Sequence, residues 1–345
     1  MLLPCPRGPV TQLLSEWLSS GSALDEADMH ARVSAALAGG DVITADDVQL
    51  SLWLLYELHY QGFDDVDPTW EWRPESLAVR RQIEGAFEAA LRRETDALVA
   101  YAMSAAGTLA DQLFALVRDA ESPPLARHLQ RYADREQLSE FLICRSIYQL
   151  KEADPHTWAI PRLTGKAKVA LAEIQFDEYG SGRPARLHAL MFAETLDACG
   201  LDPSYGAYVD RVPGVVLAAS NAMSMFGLHR RLRGAAIGHL GAFEASSSLP
   251  NRRYAAAVRR LGGGESAARY FDEHVEADAV HEQVAVRDVC GAAAATEPEL
   301  IGDIIWGAAV CLRLDALAAE RLLDAWSAGD TALRNLVDGT ARTRA

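Results

Sequence analysis

Residues 270–283, YFDEHVEADAVHEQ, place His274, Asp278 and His281 at positions i, i+4 and i+7 of one short run. At roughly 100° per residue these positions fall within about 60° of one another on a helix, so all three side chains are expected to reach one point. Two imidazoles and a carboxylate are a donor set that divalent iron, manganese or zinc accepts, and with open positions they make the non-haem iron arrangement. A stripe that only packed a core would carry Leu or Val. The competing reading is a solvated acidic helix, because Asp272, Glu273, Glu276 and Glu282 flank the three. Ligands from elsewhere in the chain must decide between them.

A metal centre inside a helical bundle draws acids and histidines from several facing helices. Three further stretches offer them. Glu244 in GHLGAFEASSS follows an apolar run, where a carboxylate is expensive to bury unless it meets a cation or donors; the alternative is an exposed helix-end acid. Glu178 and His188 are ten residues apart, about 80° out of register on an ideal helix, but Gly180, Gly182 and Pro184 break the helix and allow both to turn inward. The alternatives are a helix-terminal acid and a satisfied core histidine. Glu152 closes an amphipathic helix before a DP break, a place that by itself reads as surface. Glu140, Asp154, His156 and Glu173 are other acids and histidines with equally good capping or surface explanations, and His229 and His239 read as structural.

The elements that position these residues read as helices throughout. Ala, Leu, Arg and Glu dominate, apolar residues recur at three and four, and no long stretch alternates as a strand does, so the fold class is all-α. The pattern predicts helices over about 9–20, 24–38, 45–62, 74–98 and 108–118. Beyond Pro124 it predicts a helix ending at Glu152–Pro155, then helices over 165–179, 184–198, 212–245, 251–260 and 265–291, with a last pair between 297 and 328. Ser122–Pro124 is the expected boundary between an N-terminal helical region, 1–124, and a second region, 125–330, followed by a polar tail, 331–345.

Composition limits the function. With 345 residues, 50% of them hydrophobic and 23% charged, the chain is long enough for one large or two modest packed domains. Forty-eight acids against 33 bases give a formal charge of −15, which excludes a global basic field for nucleic acid. The start, MLLPCPRGPV, lacks a basic and apolar leader and no stretch reaches membrane-span length, so a cytoplasmic protein with no membrane partner is expected. Five scattered cysteines without a CxxC pair read as reduced thiols.

Taken together, KEADPHTWAIPRL, EIQFDEYGSGRPARLH, GLHRRLRGAAIGHLGAFEASSSLPNRRY and YFDEHVEADAVHE resemble the haem-oxygenase-like di-iron oxidases and oxygenases, described as iron-containing redox enzymes. The likeness runs over about 135–291 and is expected to extend to 328. It rests on the His-x3-Asp-x2-His helix, a Glu thirty residues before it, and the Glu-x9-His pair in a broken helix. Residues 1–124 are similar to the helical N-terminal region of longer members and could extend the bundle or form a homodimer surface.

The resemblance implies a haem-oxygenase-like helical bundle that holds two iron ions, with Glu152, Glu178, His188, Glu244, His274, Asp278 and His281 as ligands. It implies O2 as co-substrate, an external electron donor and a small-molecule substrate. Two ferrous ions together deliver two electrons to O2, and the oxidant then attacks a nitrogen, a carbon–hydrogen bond or a carbon–carbon bond. Glu178 resembles the additional carboxylate of N-oxygenating members, which favours an amine or amino-acid-derived substrate; a desaturase or C–C cleaving oxidase on the same centre is the nearest alternative. Arg230, Arg231, Arg233, Arg252 and Arg253 could supply a guanidinium for a substrate carboxylate. A non-enzymatic helical metal-binding or interaction protein is the reading from another class. Haem is disfavoured because the surrounding acids would repel its propionates.

Overall fold

The computed structural model of the chain is all-α, with no strand among the described residues, as the periodicity predicts. It describes residues 1–20 and 26–335, apart from the side chains of Asp278 and Ala279. In chain order the helices are α1 (Pro9–Ser20), α2 (Glu26–Ala38), α3 (Asp46–Glu57), α4 (Pro74–Ser104), α5 (Leu109–Asp119), α6 (Leu125–Arg131), α7 (Arg135–Gln149), α8 (Asp154–Thr157), α9 (Gly165–Glu178), α10 (His188–Ala198), α11 (Gly214–Leu228), α12 (Arg233–Arg260), α13 (Gly264–Gln283), α14 (Ala292–Thr296) and α15 (Ile301–Ser327). No helix among the described residues is long and apolar enough to cross a membrane.

Two compact units divide the chain at places other than Ser122–Pro124. The first comprises Met1–Arg93, Tyr205–Asn221 and the stretch from Leu333; the second comprises Glu94–Ser204 and Ala222–Ala332. In the first, Trp17 and Trp70 pack edge to face at 4.8 Å over a core that includes Leu14, Leu50 and Phe87. Its buried polar groups are paired: Tyr205 donates to both oxygens of Glu57 at 2.8 Å, and Asn221 donates to the Gln49 carbonyl at 2.8 Å. The segment expected as a polar tail begins inside packed structure. Ala332 and Leu333 are buried, the Ala332 amide donates to Glu140 at 2.9 Å, and Arg334 donates to Asp46 at 2.8 Å. Residues 336–345 lie outside the described residues.

The second unit is organised around α12, which packs along both α13 and α15. The crossing with α15 is a backbone contact. A Cβ on Gly238 would stand 1.9 Å from the Ile304 carbonyl oxygen, and one on Gly307 would stand 2.0 Å from that of Ala235. Only glycine at both positions permits this approach.

Several helix limits differ from the sequence reading, each for a local reason. The single helix expected over 212–245 is two, because His229 takes an extended conformation before a 3₁₀ turn at Arg230–Leu232. The Arg162 guanidinium donates to the carbonyls of Gly227 and Leu228, the latter at 2.9 Å, so the end of α11 has its acceptors satisfied. The break expected before 251 is absent. Pro250 lies within α12 on a half-exposed stretch, where water can take the carbonyl that the missing N–H leaves free, while packing on either side holds the helix. The segment after Gln283 continues as a π-helix, Val284–Gly291, and the expected last pair is one long helix, α15, entered through a 3₁₀ turn at Pro298–Leu300.

Candidate metal centre

Six of the seven sequence-predicted ligands converge in the second unit, and all six are buried to 6% exposure or less. One cluster holds donor atoms of Glu152, Glu178, His188 and His274, the other those of Glu178, Glu244 and His281; within each, all donors lie within 4.8 Å of one another. Glu178 belongs to both. The side chain of the seventh, Asp278, lies outside the described residues.

Distance along the helix corrects the first expectation. Seven residues of α13 rise about 10.5 Å, so His274 and His281 do not reach one point. His274 Nε2 faces Glu152 Oε1 at 3.4 Å, whereas His281 Nδ1 faces Glu178 Oε1 at 3.5 Å and Glu244 Oε2 at 3.7 Å. The stripe serves two neighbouring clusters joined by a carboxylate from another helix.

The Glu178–His188 pair depends on the break between α9 and α10. Helix α9 ends at Glu178, Gly180, Ser181 and Gly182 follow with positive φ, a 3₁₀ turn spans Pro184–Arg186, and α10 starts at His188. At Gly180, with φ of 80°, a Cβ would stand 2.5 Å from the Arg183 carbonyl oxygen. This turn brings His188 Nδ1 to 2.8 Å from Glu178 Oε2.

Glu152 and Glu244 sit elsewhere than the sequence suggests. Helix α7 ends at Gln149, and Glu152 follows in the turn before α8, buried where it was expected to read as surface. Glu244 lies in the middle of α12, not at a helix end. The alternatives separate cleanly. Glu140 accepts from Trp326 at 2.7 Å, Asp154 accepts from Tyr179 at 2.8 Å, and Glu173 is exposed. None of the five arginines lines the pocket over the clusters; Arg233 pairs with Glu297.

Residues outside the expected set orient the ligands. The Tyr270 hydroxyl donates to Glu152 Oε1 and Oε2 at 2.9 and 2.7 Å, while its backbone carbonyl accepts from His274 Nδ1 at 2.7 Å. That bond places the His274 proton on Nδ1 and turns the Nε2 lone pair toward Glu152. Likewise Asp177 accepts from His281 Nε2 at 3.3 Å, which leaves Nδ1 facing Glu178 and Glu244. Tyr270 stands one turn before His274 and Asp177 beside Glu178, so adjacency to a ligand was the signal available in the sequence.

The electrostatics of the clusters suit a cation. Three carboxylates are buried together with three imidazoles, a combination that is costly without compensating positive charge. Burial lowers the basicity of His281, but Glu178 and Glu244 outweigh it and raise its pKa to about 11; Glu178 likewise raises His188 against burial. Burial would raise Glu178, yet His188 and His281 hold it well below the usual carboxylate range. In the metal-free protein, protons thus occupy the nitrogens that a metal would take. His188 Nδ1 and His281 Nδ1 face carboxylate oxygens at 2.8 and 3.5 Å. The donor set fits iron in type and burial.

A small pocket opens onto the clusters, lined by Glu152, Glu178, Glu244 and His274, with Tyr148, Ala153, His156, Gln175, Leu240 and Phe243 completing its wall. His156 bonds to His239 at 3.2 Å, and burial drives the pKa of His156 down to about 4 and that of His239 well below its ordinary value. Both are therefore neutral near pH 7, and they belong to the wall and its backing, not to the clusters.

A family profile described as iron-containing redox enzyme matches residues 139–316, a span that contains every ligand named above. No curated protein matches the chain.

Proposed function

The chain belongs to the iron-containing redox enzyme family, with its all-α, haem-oxygenase-like fold, and from that premise we propose that it is a non-haem di-iron oxygenase or oxidase acting on a small metabolite. The observation that carries the proposal is Glu178, common to two buried donor clusters, which could give a carboxylate oxygen to an ion in each. Glu152, His188 and His274 would hold one ion and Glu244 and His281 the other. Asp278, the acid of the His-x3-Asp-x2-His run, is proposed as a further ligand. Four carboxylates then carry a formal charge of −4, which two divalent ions offset.

Two ferrous ions held by these residues would together supply two electrons to O2 and an oxidant for the substrate. The protein's own contribution is placement. Tyr270 and Asp177 lock the donor nitrogens of His274 and His281, and the fully buried Tyr270 hydroxyl, whose pKa burial and Glu152 raise far above its ordinary value, stays a donor at all physiological pH. Leu240 and Phe243 add apolar surface to an otherwise polar wall, where they would limit water beside the centre. A wall without Arg or Lys favours an amine over a carboxylate at the reacting end, in keeping with N-oxygenation; desaturation or C–C cleavage would use the same centre. An external reductant would return the iron to the ferrous state, and a cytoplasmic setting would supply one.

Anaerobic ferrous titration followed by rapid mixing with O2 tests this reading, with products from amine-bearing metabolites identified by mass spectrometry. Two irons per chain, a transient absorption lost in Glu178→Ala, and an oxygenated nitrogen in the product are expected. Absence of stoichiometric iron would leave a non-enzymatic helical protein.

A further inference from the structure

Beyond its ligands, the centre includes one strained backbone position. Ala153, directly after Glu152, has φ of 75° and ψ of −30°, a region that a residue with a Cβ enters only when its surroundings hold it there. Ala153 is buried at 3% exposure, so solvent does not stabilise the turn.

What holds it is visible on two sides. The Gln175 side chain, itself 3% exposed, donates from Nε2 to the Ala153 carbonyl at 3.1 Å, and the Ala153 amide donates to the Tyr148 hydroxyl at 3.4 Å. Gln175 stands three residues before Glu178 on α9, hence on the same helix face. A single side chain thus ties the backbone next to one cluster carboxylate to the helix that presents the other. The Ala153 carbonyl also accepts from the backbone amides of His156 and Thr157, each at 3.1 Å, so it remains satisfied if Gln175 is changed. Satisfying that oxygen is therefore not what Gln175 is needed for.

We propose that Gln175, acting through the strained turn at Ala153, is a positioning residue that sets the separation of Glu152 from Glu178 and thereby the affinity of the Glu152/Glu178/His188/His274 cluster for its ion. The proposal rests on the di-iron reading above. It is selective, because Glu152 serves only that cluster, while the Glu178/Glu244/His281 cluster does not include it.

The test uses the full chain with ferrous iron alone, titrated anaerobically and followed by magnetic circular dichroism, together with the melting temperature of the metal-free protein. Gln175→Met keeps the length and removes the donor; Ala153→Gly relieves the turn and frees it to move. Both variants are expected to weaken one of the two ions about tenfold to a hundredfold with an altered ligand-field spectrum for that ion, and to leave the other near wild type. Ala153→Gly should do so without lowering the metal-free melting temperature. Wild-type affinity for both ions in both variants would overturn the proposal, as would equal weakening of both ions with a fall in melting temperature. A wild-type protein that takes up no iron would instead overturn the di-iron reading.

Discussion

Tyr270 meets Glu152 with one hydroxyl placed against both carboxylate oxygens, at 2.9 and 2.7 Å, while its own carbonyl fixes the ring of His274. One residue therefore orients two donors of the same cluster. Tyr270→Phe removes the bond to Glu152 and keeps the carbonyl. A hydrogen bond to a buried charged group contributes about 1.5–3 kcal/mol, and loss of such an orienting partner weakens metal binding roughly tenfold to a hundredfold. Ferrous titration and thermal melting of the metal-free form check the two effects separately.

Metal uptake should release protons. His281, with its pKa raised to about 11 by Glu178 and Glu244 against burial, is protonated at pH 7 in the metal-free protein and must be neutral to bind a metal. Affinity for ferrous or manganous ion is expected to rise with pH, and His281→Ala should release about one proton fewer per chain, as measured with a weakly buffered indicator dye. In the metal-free protein the same elevated value makes the contribution of His281 to stability full below its ordinary pKa and progressively lost as pH rises toward 11.

The His156–His239 pair has the opposite pH dependence. Burial keeps both neutral in the native state, with His156 at about 4, whereas the unfolded chain takes up protons near the ordinary value of histidine. Stability is therefore full above that value and lost as pH falls through it toward 4, by up to ~1.4 kcal/mol per pH unit for each ring. His188 and His281, whose pKa values are raised in the native state, act in the opposite direction near the ordinary value of histidine and add little below it. Denaturant titrations at pH 6.5, 5.5 and 4.5 should give a shallower decline for His156→Gln than for the parent chain.

The turn between α9 and α10 should tolerate no side chain at Gly180. Its φ of 80° and the 2.5 Å approach to the Arg183 carbonyl make Gly180→Ala destabilising by at least ~1–2 kcal/mol. Because this turn seats both Glu178 and His188, iron bound per chain should fall along with the melting temperature. Gly200→Ala, another left-handed glycine but with open space around it, serves as the control that loses stability and keeps its iron.

The helical class and the ligand stretches were legible in the sequence because their causes are local. Apolar spacing marked the helices, and Gly180, Gly182 and Pro184 marked the break that lets Glu178 meet His188. What escaped depended on tertiary context. Pro250 reads as a stop by propensity, yet packing carries α12 through it. The end of α11 has no proline, and its termination relies on Arg162, sixty-five residues away. Tyr270, Asp177 and Gln175 are ordinary core and surface types whose roles reside in a hydroxyl, a carboxylate and an amide pointed at particular partners. The single stripe of α13 proved too long to converge, since angular register says nothing of axial distance.

The glycine contact between α12 and α15 divides the work of adaptation around the pocket. With Gly238 and Gly307 in backbone contact, the two helices have no intervening side chains to exchange for larger or smaller ones. Glu244, six residues along α12, is thus mounted on a fixed frame. New substrate preferences in sequences descended from this one would therefore arise in side chains that line the pocket without holding its backbone in place, of which His156, Leu240 and Phe243 are the nearest to hand. Directed evolution confined to those three positions should broaden substrate range sooner than libraries that include Gln175, Gly238 or Gly307.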